Sequence, residues 1–439
     1  DHRDVSAASV RTRERKVPAA TNGAATGTTP GAMTARDRIP VARTMTDGPR
    51  GGRIGRHHGP VRVLIVQPWV RIGGAELLSL RLAAELERQG HAAPVVALFC
   101  DPDGLGSALA GRTLLLPPAR WQERFRRSRA LLYLAGPLAL ALLLARHARP
   151  GDALNPHNLP APLAAAVVGR LRGLPVVWHC NEVPRPARAD DGDALGVLER
   201  LAWRAGSLAA RACARSHAAI TVLADRTREE VRATYGREAT VVRAGVDRSR
   251  SAPPAGDSPR GSVVRLLYVA KLHPQKDPLR AVRVLALLLG RGVDAHLTLI
   301  GDGPLRDAVA QAAAAHGARV RLERRLEPAA LADRYAAADV LLVTADDRQT
   351  WGLTPFEALA CGTPAVIREG VGAIELLGPA GAALVVPPDD GAFADAALAL
   401  AIDPRLRAAV VARGAAVLAG LTWEAFGTAY ARVLSEAAS

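Results

Sequence analysis

Lysine is almost missing from this chain. Of 57 Lys and Arg residues, only Lys16, Lys271 and Lys276 are lysine. Cysteine is scarce too. Cys100, Cys180, Cys213 and Cys361 show no C-x-x-C spacing, which excludes a disulfide-stapled mini-protein and a zinc ribbon. No apolar run reaches the roughly 20 residues of a bilayer span. The longest, ALLYLAGPLALALLLA at 130–145, is interrupted by Gly136-Pro137. Acidic residues are in deficit, 42 against 57, leaving a net charge of +15. A basic balance usually prompts a nucleic-acid reading. Here residues 1–60 alone carry 11 Lys/Arg against 5 Asp/Glu, and the rest is spread thinly. No nucleic-acid partner is therefore expected.

What is present is an ordinary globular composition. Of the 439 residues, 49% are hydrophobic and 23% charged, which supports two or three domains. Residues 1–58 have no apolar periodicity and are rich in Ala, Thr, Gly and Arg, so a disordered basic tail is expected. From 61 onward, short β-branched runs alternate with amphipathic segments. Strands are expected at 61–68, 93–100, 175–180 and 217–223. Helices are expected at 75–90, 122–147, 161–172 and 194–213. The stretch RSRSAPPAGDSPRGS at 248–262 reads as a linker. The alternation then restarts with strands at 264–270, 295–301, 319–323, 339–345, 364–367 and 382–387. Helices lie between them and close the chain from about 391 to 437. This order predicts an α/β chain of two Rossmann-like doubly wound parallel-sheet domains facing across a cleft. The expected boundaries are 59–247 and 263–415, with a final helix at 416–439 crossing back to the first domain.

Ligands of such sheets sit beyond the carboxyl ends of the strands, so the loops there carry the candidate chemistry. Gly73 and Gly74 join the first strand to the first helix. They fit either an anion approaching backbone N–H groups or a plain turn. GDGPL at 301–305 joins another strand to a helix, but Arg306 stands where the third glycine of a dinucleotide fingerprint belongs. Lys271 and Lys276 follow a strand directly in AKLHPQKD. Two cations there suit a diphosphate, and the rarity of lysine elsewhere weighs against two chance surface residues. In DDRQTWGLTPFEALACGTPAVIREGVGAIELL, 346–377, Glu357 opens a short helix. Its carboxylate can accept both hydroxyls of a ribose or simply face the helix dipole.

These segments together resemble the family 4 retaining glycosyltransferases of the GT-B fold, over about residues 61–435. The resemblance implies a transferase that moves a sugar from a nucleotide-diphosphate donor to an acceptor hydroxyl without a metal. A UDP- or GDP-sugar is the co-substrate, and no other cofactor is expected. It implies that Lys271 and Lys276 hold the donor diphosphate, and that Glu357 holds the ribose. Gln349 stands where the family's first Glu is usual. His179 matches a histidine facing the donor sugar. Gly73, Gly74, Gly301, Gly303 and the backbone at Leu353 and Thr354 fall on the donor side. His157, Asn158 and Asn181 would line the acceptor side, with an N-cap role for Asn158 as the plain alternative. The sequence departs from the family at Gln349, Ala270, Arg243-Ala244 and Ala373.

Trp69, Trp178 and Trp351 flank these loops. Sugar stacking is weighed against core packing, which is favoured for Trp178. Asp101-Pro102-Asp103-Gly104 fits the letters of a metal-binding Asp-x-Asp, but the Pro and Gly make it a turn. The implied acceptors are a glycan, a lipid-linked or a natural-product hydroxyl, and the implied site is the cytoplasm. Arg124, Arg126, Arg127 and Arg129 precede the apolar run that ends at Ala145. They fit peripheral contact with an inner membrane face, weighed against a buried helix with a solvated lead-in. Two other functions share the architecture: a catalytically degenerate nucleotide-sugar-binding subunit and a nucleotide-sugar epimerase.

Overall fold

The structure is a computed structural model describing residues 60–71, 73–102, 105, 108–183, 197–247 and 263–439, the side chains of 198, 199, 202 and 203 aside. The tail at 1–58, the linker expected at 248–262 and Asp103-Gly104 lie outside the described residues.

The first α/β layer set is built from strands β1 (Val63–Val66), β2 (Val95–Val96), β3 (Leu114–Leu115), β4 (Ala153–Pro156), β5 (Val177–His179), β6 (Ala219–Val222) and β7 (Thr240–Val241). All pair in parallel, in order β3-β2-β1-β4 and β5-β6-β7, and a Leu154–Val176 bridge places β5 beside β4. Its helices are α1 (Gly74–Arg88), α2 (Ala119–Arg127), α3 (Arg129–Leu134), α4 (Gly136–His147), α5 (Ala161–Arg172), α6 (Val197–Cys213) and α7 (Asp225–Tyr235).

The second set has β8 (Val264–Val269), β9 (Ala295–Ile300), β10 (Val320–Glu323), β11 (Val340–Val343), β12 (Ala365–Arg368) and β13 (Leu384–Val386), ordered β10-β9-β8-β11-β12-β13. Its helices are α8 (Pro278–Gly290), α9 (Arg306–Ala314), α10 (Pro328–Ala337), α11 (Thr354–Ala360), α12 (Ile374–Leu377), α13 (Asp390–Ile402) and α14 (Pro404–Leu418). The last helix, α15 (Trp423–Ala438), packs on α1 and β5 of the first set.

Both sheets therefore reverse strand order beside their first strand, at β1/β4 and at β8/β11. Such switch points open a crevice at the carboxyl ends of the strands. Of the strands flanking them, β1 (VLIV) and β11 (VLLV) are wholly apolar and buried along their length. The single helix expected at 122–147 is in fact three. Ser128 ends α2 and caps α3, its hydroxyl accepting from Leu131 N–H. Gly136-Pro137 then opens α4, proline being tolerated in a first turn. One core fills the space between β1, β2, β4 and helices α4 and α5. Another joins α1, α15 and the face of the second sheet that carries α10 and α11.

Candidate functional site

The lysine segment leaves β8 at its carboxyl end. GDGPL lies directly against it, with Leu272 N–H on Asp302 O at 2.9 Å and Leu305 N–H on Leu272 O at 2.9 Å. A Cβ on Gly301 would strike the Ala270 carbonyl, and one on Gly303 the Leu272 carbonyl. These two glycines, expected beside the donor, let one loop seat the other. Lys271 is exposed at the rim. Lys276 closes the short turn Pro274–Lys276 and is partly buried. Its Nζ donates to Gln349 Oε1 at 2.7 Å. Burial lowers the Lys276 ammonium from 10.5 to about 8, against the pull of Glu182 and Asp346.

Gln349 is held in turn by its backbone. Its N–H donates to Asp346 O at 3.1 Å, and its carbonyl accepts from Gly372 N–H at 2.9 Å. Gly352 follows with φ 85°, and a Cβ there would strike the Gln349 side-chain amide. Glycine is thus required for the loop to fold over Gln349. Leu353 caps α11 and Thr354 begins it. One turn on, Glu357 Oε2 accepts from Tyr335 OH at 3.0 Å. Burial raises the Glu357 carboxyl, while Tyr335 and then Arg325 hold it down.

Across the crevice, Gly73 caps α1 in extended geometry, and Gly74 begins it. The Glu76 carboxylate lies over Gly73 and accepts from Trp69 Nε1 at 2.5 Å. Burial raises its carboxyl; Trp69, Arg71 and Lys271 of the opposite domain lower it. Glu76 had no distinguishing mark in the sequence, since an acidic residue in a first turn reads as a dipole partner. His157 follows β4 and His179 ends β5, their ring centroids 5.0 Å apart. His179 Nδ1 meets Thr221 Oγ1 at 3.0 Å, and burial lowers the ring to about 3. Burial also holds His157 well below its usual range.

Asn158 does not cap α5; Pro160 does. Instead Asn158 Nδ2 donates to Gln67 Oε1 at 3.4 Å, and its Oδ1 accepts from Asn181 Nδ2 at 3.1 Å. Thr350 Oγ1 then donates to the Asn181 carbonyl at 2.9 Å, joining the two domains. Trp178 packs in the core against His217 and Tyr235. Trp351 is buried and stacked on Phe356 at 4.9 Å. Trp69 is committed to Glu76.

A second bridge between the domains escaped sequence reading. Arg243 Nη2 donates to Asp225 Oδ2 at 2.7 Å and to Glu375 Oε1 at 2.6 Å. Arg226 Nη1 donates to the Gly370 carbonyl at 2.6 Å. Arg243 is one of the positions where the chain departs from the family pattern, so the departure supplies a cross-domain ion pair. Among the described residues no three His, Cys, Asp or Glu side chains gather as a metal cluster would require.

This arrangement sets two switch points face to face, with a lysine–glutamine pair and a buried glutamate on one side and two neutral histidines on the other. Residues 72–250 match the model described as Glycosyltransferase Family 4, and residues 264–403 match Glycosyl transferases group 1. Together they cover most of the chain. It belongs to the family 4 glycosyltransferases of the GT-B fold.

Solved structures of this fold superpose along nearly their whole length. Anabaena HepE in complex with UDP and glucose matches with a TM-score of 0.66 and 17% identity, over 85% of this chain and 99% of that one. Sucrose-phosphate synthase from Thermosynechococcus elongatus gives 0.66 and 17%, over 86% and 98%. Among curated relatives, a GDP-mannose-dependent alpha-(1-6)-phosphatidylinositol dimannoside mannosyltransferase of Mycobacterium tuberculosis is 33% identical over 144 residues, 30% of this chain and 32% of that protein. A D-inositol 3-phosphate glycosyltransferase of Kribbella flavida is 30% identical over 203 residues, 42% and 47%. The chain thus spans a third to a half of the length of these two relatives.

Proposed function

We propose that this family 4 chain transfers a glycosyl group from a nucleoside-diphosphate sugar to an acceptor hydroxyl, with retained configuration and without a metal. The observation that carries the reading is the Lys276–Gln349 pair at the β8/β11 switch point, followed along the same segment by the Glu357–Tyr335 pair on α11. A ribose bound by Glu357 sets its diphosphate toward Lys276 and Lys271. As the anomeric carbon–oxygen bond breaks, its electron pair passes to the diphosphate, and these cations stabilise the developing charge. The acceptor oxygen bonds to the anomeric carbon on the same face and passes its proton to the departing phosphate oxygen. Gln349 offers an amide where the family usually has a carboxylate, so it orients Lys276 without neutralising it.

GDP-mannose and UDP-glucose are the donors to test first, given the names of the relatives and the contents of the HepE crystals. An inositol-bearing or other polyol acceptor, free or lipid-linked, is the first to try. Incubating the protein with each donor and acceptor should release nucleoside diphosphate. Lys276→Ala should abolish that release while the protein remains folded. Full release by the variant overturns the reading.

A lipid-linked acceptor also fits the first domain's surface. Leu134, Leu138 and Leu142 stand four residues apart along α3 and α4, each 63–65% exposed. Val167 and Leu171 repeat the stripe on the neighbouring α5. Exposed Arg120, Arg124, Arg126 and Arg127 flank it on α2. Aliphatic residues bordered by arginine suit an anionic bilayer surface, which would place the enzyme at the inner face of a membrane. Sedimentation with phosphatidylglycerol vesicles, lost in Leu138→Glu/Leu142→Glu, tests the contact.

A further inference from the structure

Lys276 and its partner Gln349 are held by different means. The Lys276 backbone is fixed inside the second domain: its carbonyl accepts from Thr344 Oγ1 at 2.8 Å and from Tyr268 OH at 3.2 Å. The root of the Gln349 loop is tied there too, Asp346 N–H donating to Gln275 O at 2.9 Å. Beyond that root, tethers from the first domain take over. Arg226, in the first turn of α7, reaches Asp347 Oδ2 at 3.7 Å and donates to the Gly370 carbonyl at 2.6 Å. Its backbone N–H donates to Glu375 Oε2 at 3.3 Å. Arg243, just past β7, donates to Glu375 Oε1 at 2.6 Å. Asn181 accepts from Thr350 Oγ1 at 2.9 Å.

These contacts converge on Gln349. Glu375 N–H donates to the Gly372 carbonyl at 3.1 Å, and Gly372 N–H donates to the Gln349 carbonyl at 2.9 Å. Gly372 also lies hard against the Thr350 carbonyl, which a Cβ there would strike. A continuous path therefore runs from Arg243 through Glu375, Gly372 and Gln349 to the Lys276 ammonium. It begins with a charge-assisted bond between side chains only 28% and 19% exposed, where such a bond is stronger than on open surface. It ends on a neutral amide. A carboxylate at 349 would hold the ammonium by charge. An amide holds it by one hydrogen bond, so its loop must be kept in place from elsewhere. Gln349, Ala373 and Arg243 each depart from the family pattern, and all three lie on or beside this path.

We propose that Arg226 and Arg243 are positioning residues that clamp the Gln349 loop from the opposite domain, and that the Arg243–Glu375 ion pair makes up for the charge that glutamine at 349 lacks. This rests on the proposed function only for the task given to Lys276. Neither arginine touches a ligand; both act through Gln349. The clamp depends on charge more than on the shape of the guanidinium. The Arg243 contacts to Asp225 at 2.7 Å and to Glu375 at 2.6 Å run through the one nitrogen Nη2, so a single ammonium can replace it.

The scarcity of lysine makes the test direct, since Lys16, Lys271 and Lys276 are the only side-chain amines. Limited acetylation of the full chain by acetic anhydride, read peptide by peptide in a mass spectrometer, gives the Lys276 rate relative to Lys16 and the exposed Lys271 in one sample. In the wild type Lys276 should react more slowly than either. Arg243→Ala should raise its relative rate about tenfold, the least that a hydrogen bond to a charged group is worth. Glu375→Ala should do the same from the other side of the cleft, and Arg243→Lys should stay near wild type. In a Gln349→Glu background, Arg243→Ala should change the rate by less than about twofold, because the carboxylate holds the ammonium itself. An unchanged Lys276 rate in Arg243→Ala and Glu375→Ala overturns the proposal. So does an equal rise with and without Gln349→Glu, which would mean a general loosening between the domains. Nucleoside-diphosphate release that survives Lys276→Ala would sink the transfer reading and leave the clamp standing.

Discussion

Replacing Gln349 by Glu turns the amide whose Oε1 accepts from the Lys276 ammonium at 2.7 Å into a carboxylate. In the native site the ammonium is lowered from 10.5 to about 8, chiefly by burial. That shift is worth about 3 kcal/mol at 1.36 kcal/mol per pKa unit. A carboxylate about 4 Å from the charge centre, at an effective dielectric constant near 20, attracts the ammonium by about 4 kcal/mol. The two quantities are of similar size and opposite sign, so Gln349→Glu should return Lys276 to its ordinary range near 10.5.

The consequence is read in the pH dependence of nucleoside-diphosphate affinity, measured by calorimetry from pH 7 to 9.5. Binding that needs the cation weakens as pH rises through the folded pKa. Wild-type affinity should fall about tenfold per unit above pH 8, roughly thirtyfold by 9.5, while Gln349→Glu stays within about twofold. Superimposed profiles would refute the reasoning: if both are flat, Lys276 does not hold the diphosphate, and if both fall, the carboxylate does not re-charge it.

Further outcomes follow from the same geometry. Lys276→Met should raise thermal stability relative to wild type below pH 8 and lose that advantage by about 10.5. The cost of charging the buried amine is complete below its folded pKa and gone above its unfolded one. Glu357→Gln should weaken donor binding about ten- to a hundredfold, the range for hydrogen bonds to a charged group. In the wild type, affinity should fall on the acid side as the burial-raised Glu357 carboxyl takes up its proton, and Tyr335→Phe should move that fall to higher pH. Gly372→Ala drives a methyl into the Thr350 carbonyl and should cost about 1–3 kcal/mol, a drop of several degrees in melting temperature.

The alternation of elements could be read because apolar runs and Gly or Pro stops agree. Residues 161–172 were expected as a helix and form one over that span, ended by Gly173 in left-handed geometry. α7 escaped because DRTREEVRATY buries only Thr227, Val231 and Tyr235, too few for an apolar stripe. β3 and β7 escaped because each has two residues, and the strand expected at 93–100 is only the two-residue β2. In the site, AKLHPQKD carries Lys276, and the 346–377 segment carries Gln349 in a loop and Glu357 on α11. That Lys276 and Gln349 touch is a fact 73 residues wide, set by β8 lying next to β11. Tyr430 carried no mark at all: a tyrosine in a late amphipathic helix reads as packing, yet its hydroxyl bonds Asn155 on β4 and Thr221 on β6.

The position of α15 also orders events in time. Phe426, Tyr430, Val433 and Leu434 complete the core beneath β5 and α1, yet they follow the whole second domain in the chain. A ribosome releases the strands of the first domain long before it supplies the helix that closes them. Until then Asn155 and Thr221 lack the Tyr430 hydroxyl they bond in the finished protein. A second domain that folds as it emerges does so beside an unfinished first one, and a fragment ending at 247 would lack a wall of its own core.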